Sequence, residues 1–120
     1  MSAPDRDIQT QLVHAGEPRP SIEGAVVLPV FQSATFTSRE NETYDDIRYL
    51  RLNNSPNHQV LHDKLARICK GEAAVVTSSG MAAICTTLMT LLRSGDHFLA
   101  QDCLYGGTHS LMTEDMPALG

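Results

Sequence analysis

The sequence predicts the α/β class: an extended amino-terminal arm over residues 1–57, then the first part of an α/β domain over residues 58–120. Three observations predict it. Five of the six prolines (Pro4, Pro18, Pro20, Pro29 and Pro56) fall in the first half, where no helical period is sustained. Beyond Asn57, apolar residues recur at helical spacing in segments separated by two short β-prone runs. The first of these runs leads directly into Ser79-Gly80 and a new helix.

Proline is excluded from helix interiors and central strands, so residues 1–57 should form short strands or turns that lie across something else. Ala25-Val26-Val27-Leu28 is a candidate brief strand before Pro29. Asn57 is placed to cap a first helix whose apolar stripe is Val60, Leu61, Leu65 and Ile68, with Gly71 positioned to stop it. Ala73 to Thr77 lacks alternation and reads as a strand covered on both faces. A second helix opens at Ser79-Gly80, points Met81, Ile84, Cys85, Leu88, Leu91 and Leu92 inward, and ends by Gly95. His97 to Gln101 reads as a second strand and Thr108 to Met116 as a third helix before Pro117. Single helices linking the strands imply parallel pairing with right-handed crossovers. Two strands leave a parallel sheet with edges to hide, so the chain reads as the beginning of a longer domain.

Composition narrows the function. Nine Lys+Arg against fourteen Asp+Glu in 120 residues give a net charge of −5, which argues against nucleic acid or an anionic membrane as partner. Met1 to Gln11 carries Asp5, Arg6, Asp7 and Gln9 without an apolar stretch, unlike a secretory signal. Met81 to Leu92 is too short to span a bilayer, so a cytoplasmic protein is expected. Cys69, Cys85 and Cys103 form no CxxC pair and read as buried free thiols in a reducing compartment. His14, His58, His62, His97 and His109 form no metal-ligand pattern, although His58 and His62 share a helix face.

Three segments carry candidate chemistry. At Ser78-Ser79-Gly80-Met81 a strand meets a helix start, where unpaired N–H groups and the positive end of the macrodipole favour an anion. The same residues could equally be a simple cap and tight turn. Asp102-Cys103-Leu104-Tyr105-Gly106-Gly107-Thr108 follows the second strand, on the sheet edge where ligands collect. Tyr105 there can stack on a planar ligand and its hydroxyl can move a proton, or it can be a half-buried tyrosine beside a flexible turn. Tyr49-Leu50-Arg51 places a phosphate-gripping guanidinium two residues from a ring on an extended segment. By itself, that segment also fits a solvated arginine beside a packed aromatic.

Together, Pro29-Val30-Phe31-Gln32-Ser33-Ala34-Thr35-Phe36, Tyr49-Leu50-Arg51, Ser78-Ser79-Gly80-Met81-Ala82-Ala83, Gly95-Asp96-His97 and Tyr105-Gly106-Gly107-Thr108 resemble the Cys/Met-metabolism (transsulfuration) family of pyridoxal-phosphate enzymes. The resemblance runs from about Leu12 onward. It implies an aspartate-aminotransferase-like, fold type I, three-layer domain with a mainly parallel sheet, here incomplete. It implies pyridoxal 5'-phosphate as cofactor, a small amino-acid substrate, and making or breaking of a C–S bond. By resemblance, Gly80 and Met81 bind the cofactor phosphate through backbone N–H groups, with Ser79 beside them, and Tyr105 stacks on the pyridine ring. Tyr49 and Arg51 reach from the arm to the cofactor phosphate of a neighbouring subunit, which implies a homo-oligomer, dimer or tetramer. The family's tyrosine-x-arginine segment usually continues into Gly-Asn-Pro-Thr; here Leu52-Asn53-Asn54-Ser55-Pro56-Asn57 follows.

The family's Schiff-base lysine and the aspartate that pairs with the pyridine nitrogen belong to later parts of its chains. Lys64 and Lys70, the two lysines here, fall on or at the end of the first predicted helix and read as solvated surface charges. Asp102 reads as a turn or cap residue. The chain is therefore expected to be the inactive amino-terminal part of a transsulfuration enzyme. The alternatives are a complete, non-enzymatic phosphate- or nucleotide-binding α/β module, or an interaction fragment that docks on a full-length relative through the arm.

Overall fold

The computed structural model describes residues 7–38 and 43–120, so the sequence readings at Pro4, Asp5 and Arg6 lie outside the described residues, as does the stretch of arm at 39–42. The chain divides into two compact units, Met1–Val76 and Thr77–Gly120.

In the first unit the arm contains a helix that its sequence did not predict. Helix α1 spans Ile8–His14, and helix α2 spans Pro56–Ile68 and packs against it. Seven residues are too few for a helix to persist by propensity, so α1 depends on that contact. The contact is close at Gly16, where φ is +77° and an added Cβ would lie 2.6 Å from the Val60 carbonyl oxygen and 3.0 Å from the Lys64 nitrogen. Lys64 is not the solvated surface charge its position predicted. Its Nζ donates to the Val13 carbonyl at 2.9 Å and pairs with Glu17 Oε1 at 3.2 Å, with both side chains largely buried. Glu17 Oε2 in turn accepts from the Leu28 N–H at 2.8 Å.

Residues 25–28 form no strand, and Val26 and Val27 are exposed. The neighbouring backbone is held by a side chain instead: Asn57 Oδ1 accepts from the Phe31 N–H at 2.8 Å and Asn57 Nδ2 donates to the Pro29 carbonyl at 3.0 Å. Asn57 is thereby occupied, and the helix cap falls two residues earlier, at Ser55, with Pro56 opening the helix. Proline suits that position because its fixed φ is helical and its missing N–H has no acceptor to satisfy. Ser55 is the most deeply buried side chain described, at 1% exposure. On the predicted stripe of α2, Leu61 is exposed while Ala66, a small residue outside that stripe, is buried. The helix ends with Lys70 at φ +54°, its N–H bonded to the Arg67 carbonyl and the Gly71 N–H to the Ala66 carbonyl at 2.8 Å. This is a Schellman closure in which lysine, rather than Gly71, takes the left-handed position.

The His58 and His62 rings lie 6.2 Å apart on α2. His58 Nδ1 is 2.8 Å from Ser55 Oγ, whereas the buried Nε2 of His62 has no partner among the described residues. Burial, and secondarily His58, hold the His62 imidazole below its ordinary pKa of 6.5, against a smaller opposing effect of Asp63. A histidine whose folded pKa is depressed favours the fold above its unfolded pKa and loses that contribution as pH falls. The urea midpoint of the chain should therefore be flat above about pH 6.5 and decline below it, and His62→Gln should flatten the decline. An unchanged slope in that variant would assign the decline to other groups.

The second unit holds helix α3, Gly80–Leu91, and a helical run made of α4 (Gly106–Ser110), a π-turn over Leu111–Asp115, and α5 (Met116–Ala118). The widened turn falls just before Pro117, whose ring would press on the carbonyl four residues back in an ordinary α-turn. Met81, Ile84, Cys85, Leu88 and Leu92 of the predicted inward face are half-buried, but Leu91 is 72% exposed. Helix α3 stops at Leu92, which takes an extended conformation, and the Arg93 guanidinium donates to the Thr90 and Leu92 carbonyls.

Residues 73–77 and 97–101, expected as strands, form none among the described residues, and Val75 and Leu99 are exposed rather than covered. A parallel strand exists only through its neighbours' hydrogen bonds, and these segments have no such neighbour among the described residues. The cysteines also depart from expectation: all three are free, but Cys69 and Cys103 are exposed and Cys85 is half-buried. No helix among the described residues is long and apolar enough to cross a membrane.

Candidate cofactor site

In the second unit the site is built on the first turn of α3. Ser79 approaches it in extended conformation (φ −160°, ψ 162°), and its Oγ accepts from the Ala82 N–H at 3.0 Å. The Ser79 carbonyl accepts both from Thr77 Oγ1 at 2.9 Å and from the Ala83 N–H at 3.1 Å. These bonds consume the third and fourth amides of the turn. The Gly80 and Met81 amides keep no acceptor among the described residues, at the positive end of a twelve-residue helix. A Cβ at Gly80 would meet nothing within 4 Å, so the space over this turn is open.

Tyr105 lies at the start of α4 and is 77% exposed. Helices α3 and α4 touch, and the contact is specific: Thr108, buried at 5% exposure, donates from Oγ1 to Met81 Sδ at 3.6 Å. The Tyr105 ring and Met81 Sδ flank the same point, since a Cβ on Gly107 would be 3.1 Å from Tyr105 Cε1 and 3.4 Å from Met81 Sδ. The structure thus brings Ser79, Gly80, Met81 and Tyr105 together within one unit. Thr108 was quoted with its segment in the sequence but given no role there; its bond to Met81 comes from the packing of α3 on α4. Asp102 closes a tight turn, its carbonyl accepting from the Leu104 N–H at 3.0 Å.

Tyr49 and Arg51 belong to the first unit. Tyr49 makes an isolated antiparallel bridge to Thr35, and Leu50–Leu52 then coils into a 3₁₀ turn rather than continuing extended. The pairing of the two side chains survives that change: the Arg51 guanidinium stacks 4.4 Å from the Tyr49 ring centroid. Two asparagines set this path. Asn53 takes the left-handed conformation (φ 56°, ψ 33°) and its Nδ2 donates to the Val76 carbonyl at 2.8 Å. Asn54 accepts from the Tyr49 N–H and donates to the Ile47 carbonyl, both at 2.8 Å. Asparagine tolerates the left-handed region and bonds readily to nearby backbone, so it replaces the usual glycine here. Among the described residues, no group of three or more His, Cys, Asp or Glu side chains is placed to hold a metal ion.

The model of the Cys/Met metabolism PLP-dependent enzyme family matches residues 9–120. The chain belongs to this family. Among curated relatives of the Cys/Met metabolism family, it is 38% identical to an L-methionine gamma-lyase of Fusobacterium nucleatum subsp. polymorphum over 92% of its length and 30% of the relative's. It is 37% identical to a cystathionine gamma-synthase of Mycobacterium leprae (strain TN), over 88% of its length and 27% of the relative's. It is 36% identical to a cystathionine gamma-lyase of Bacillus subtilis (strain 168), over 93% and 29%. The chain therefore spans under a third of these relatives. Pyridoxal phosphate, the cofactor of the Cys/Met metabolism family, combines an anionic monoester with a planar ring. Two unpaired amides at a helix N-terminus and an exposed tyrosine ring beside them are groups of the kind that fit it.

Proposed function

We propose that this chain supplies part of the cofactor cradle of a pyridoxal-phosphate-dependent transsulfuration enzyme, acting on cystathionine, O-acylhomoserine, methionine or cysteine type substrates. The observation that carries this reading is the pair of unpartnered Gly80 and Met81 amides beside the exposed Tyr105 ring, within a family match of residues 9–120. Gly80 and Met81 donate to the phosphate, and the Ser79 hydroxyl, which accepts from Ala82, keeps its own proton free to donate there as well. Tyr105 covers one face of the ring, and its exposed hydroxyl is placed to move a proton. Tyr49 and Arg51 hold the phosphate of a neighbouring subunit, the guanidinium being kept in place by its stack on the tyrosine ring. Residues 1–57 act as the arm that makes this reach and residues 58–120 as the start of the cofactor domain, in which residues 73–77 and 97–101 are parallel strands completed by further chain.

Once bound, the cofactor supplies an electron sink that stabilises negative charge at the substrate's Cα. The residues here bind and orient it. The lysine needed for covalent attachment is neither Lys64, whose Nζ is engaged by Val13 and Glu17, nor Lys70, which closes α2. By itself the chain is therefore inactive, and it works in the cytoplasm as part of a homo-oligomeric enzyme.

The test uses pyridoxine 5'-phosphate, which has the ring and the phosphate but no aldehyde to react with surface amines. In isothermal titration it should bind this chain, be displaced by inorganic phosphate, and outcompete adenosine monophosphate. Preference for the adenine nucleotide would overturn the reading in favour of a nucleotide-binding module. A borohydride-stable adduct of pyridoxal 5'-phosphate formed one-to-one at Lys64 or Lys70 would overturn the assignment of covalent attachment to another lysine.

A further inference from the structure

We propose that Gly107 is a positioning residue for Tyr105: its missing side chain leaves open the space that the edge of the tyrosine ring and Met81 Sδ both border. Gly107 needs no left-handed backbone, since the positive-φ glycines are Gly16, Gly24, Gly95 and Gly120. Its conformation is helical, and in a helix alanine is preferred to glycine by about 1 kcal/mol. The backbone therefore does not call for glycine at this position. The space a Cβ would enter is bounded by Tyr105 Cε1 at 3.1 Å and Met81 Sδ at 3.4 Å. Of these two neighbours, Met81 is the less free to move, because its sulfur accepts from the buried Thr108 hydroxyl. The Tyr105 ring, 77% exposed, is free to swing outward. A methyl group at position 107 therefore displaces the ring and leaves α4 intact. Gly106 is the internal control: it precedes Gly107 in the same helical turn, and a Cβ there would meet nothing within 4 Å.

The inference rests on the cofactor reading for its consequence but not for its geometry, and the experiment separates the two. Methyl-labelled methionine gives a resonance for Met81, assigned with Met81→Leu, that is shifted by the ring current of Tyr105. Tyr105→Leu defines the shift without the ring. Gly107→Ala should move the Met81 signal toward the Tyr105→Leu position with helical circular dichroism unchanged or increased, while Gly106→Ala leaves the signal in place. Pyridoxine 5'-phosphate affinity should fall roughly three- to tenfold in Gly107→Ala, the scale of one aromatic stacking contact, and hold in Gly106→Ala. An unmoved Met81 signal in Gly107→Ala overturns the positioning role. A moved signal with no ligand binding in the parent chain overturns the cofactor reading alone.

Discussion

Gly16→Ala is expected to destabilise the first unit by roughly 2–4 kcal/mol, seen as a lower urea midpoint and loss of the α1 contribution to the helical signal. Two effects add. At φ +77° any side chain pays the left-handed backbone penalty of about 1–2 kcal/mol. The new Cβ would also sit 2.6 Å from the Val60 carbonyl oxygen, within the backbone of α2, so relief requires α1 and its connection to lift off. Gly24→Ala separates the contributions: φ there is +76°, yet a Cβ would meet nothing within 4 Å. That variant should lose the backbone part only. Equal losses in the two variants would show that the approach to Val60 contributes nothing.

Gly80→Asp is expected to weaken pyridoxine 5'-phosphate binding by about 100-fold or more while leaving the fold as stable or slightly more so. The fold tolerates the change because the space around Gly80 is open. An acidic residue in the first turn of a helix is stabilising by about 0.3–1 kcal/mol, so α3 gains. The ligand loses by the same electrostatics: at about 4 Å and an effective dielectric near 20, like charges repel by about 4 kcal/mol. Opposite signs for stability and affinity distinguish a phosphate site from a helix cap, which would show the first effect alone. Titration calorimetry and urea unfolding on the same variant read both; affinity within threefold of the parent would remove Gly80 from the cradle.

Much of the site was legible one residue at a time. Ser79 caps α3 because a serine before glycine at the head of an apolar-periodic segment has few other uses, and the free amides of Gly80 and Met81 follow from helix geometry. Tyr105 was legible as a ring able to stack on a planar ligand or as a half-buried tyrosine beside a flexible turn, but its 77% exposure and its place at the edge of the space beside Gly107 were not. That place depends on Gly107 and Met81, which are 26 positions apart in the chain and meet only through the packing of α3 on α4. Similarly, the tyrosine–arginine pairing was read from an extended backbone, whereas it arises through a 3₁₀ turn steered by Asn53 and Asn54.

The arm shows the same division. Its prolines argue against a long helix or a central strand, because proline acts through its own ring and its own missing donor. Helix α1 escaped notice since seven residues carry too little period, and its support comes from Lys64 and Val60, some fifty positions away. The amino-acid order by itself marked the Ser79 cap of α3 and the open first turn that follows it, for both are written in neighbours a few residues apart. Only the tertiary structure decided that Lys64 is a half-buried tether, that Asn57 holds Pro29 and Phe31 rather than capping α2, and that Gly107 faces a ring. Those outcomes depend on which distant backbone groups arrive within hydrogen-bonding or van der Waals reach, and a local pattern carries no record of that.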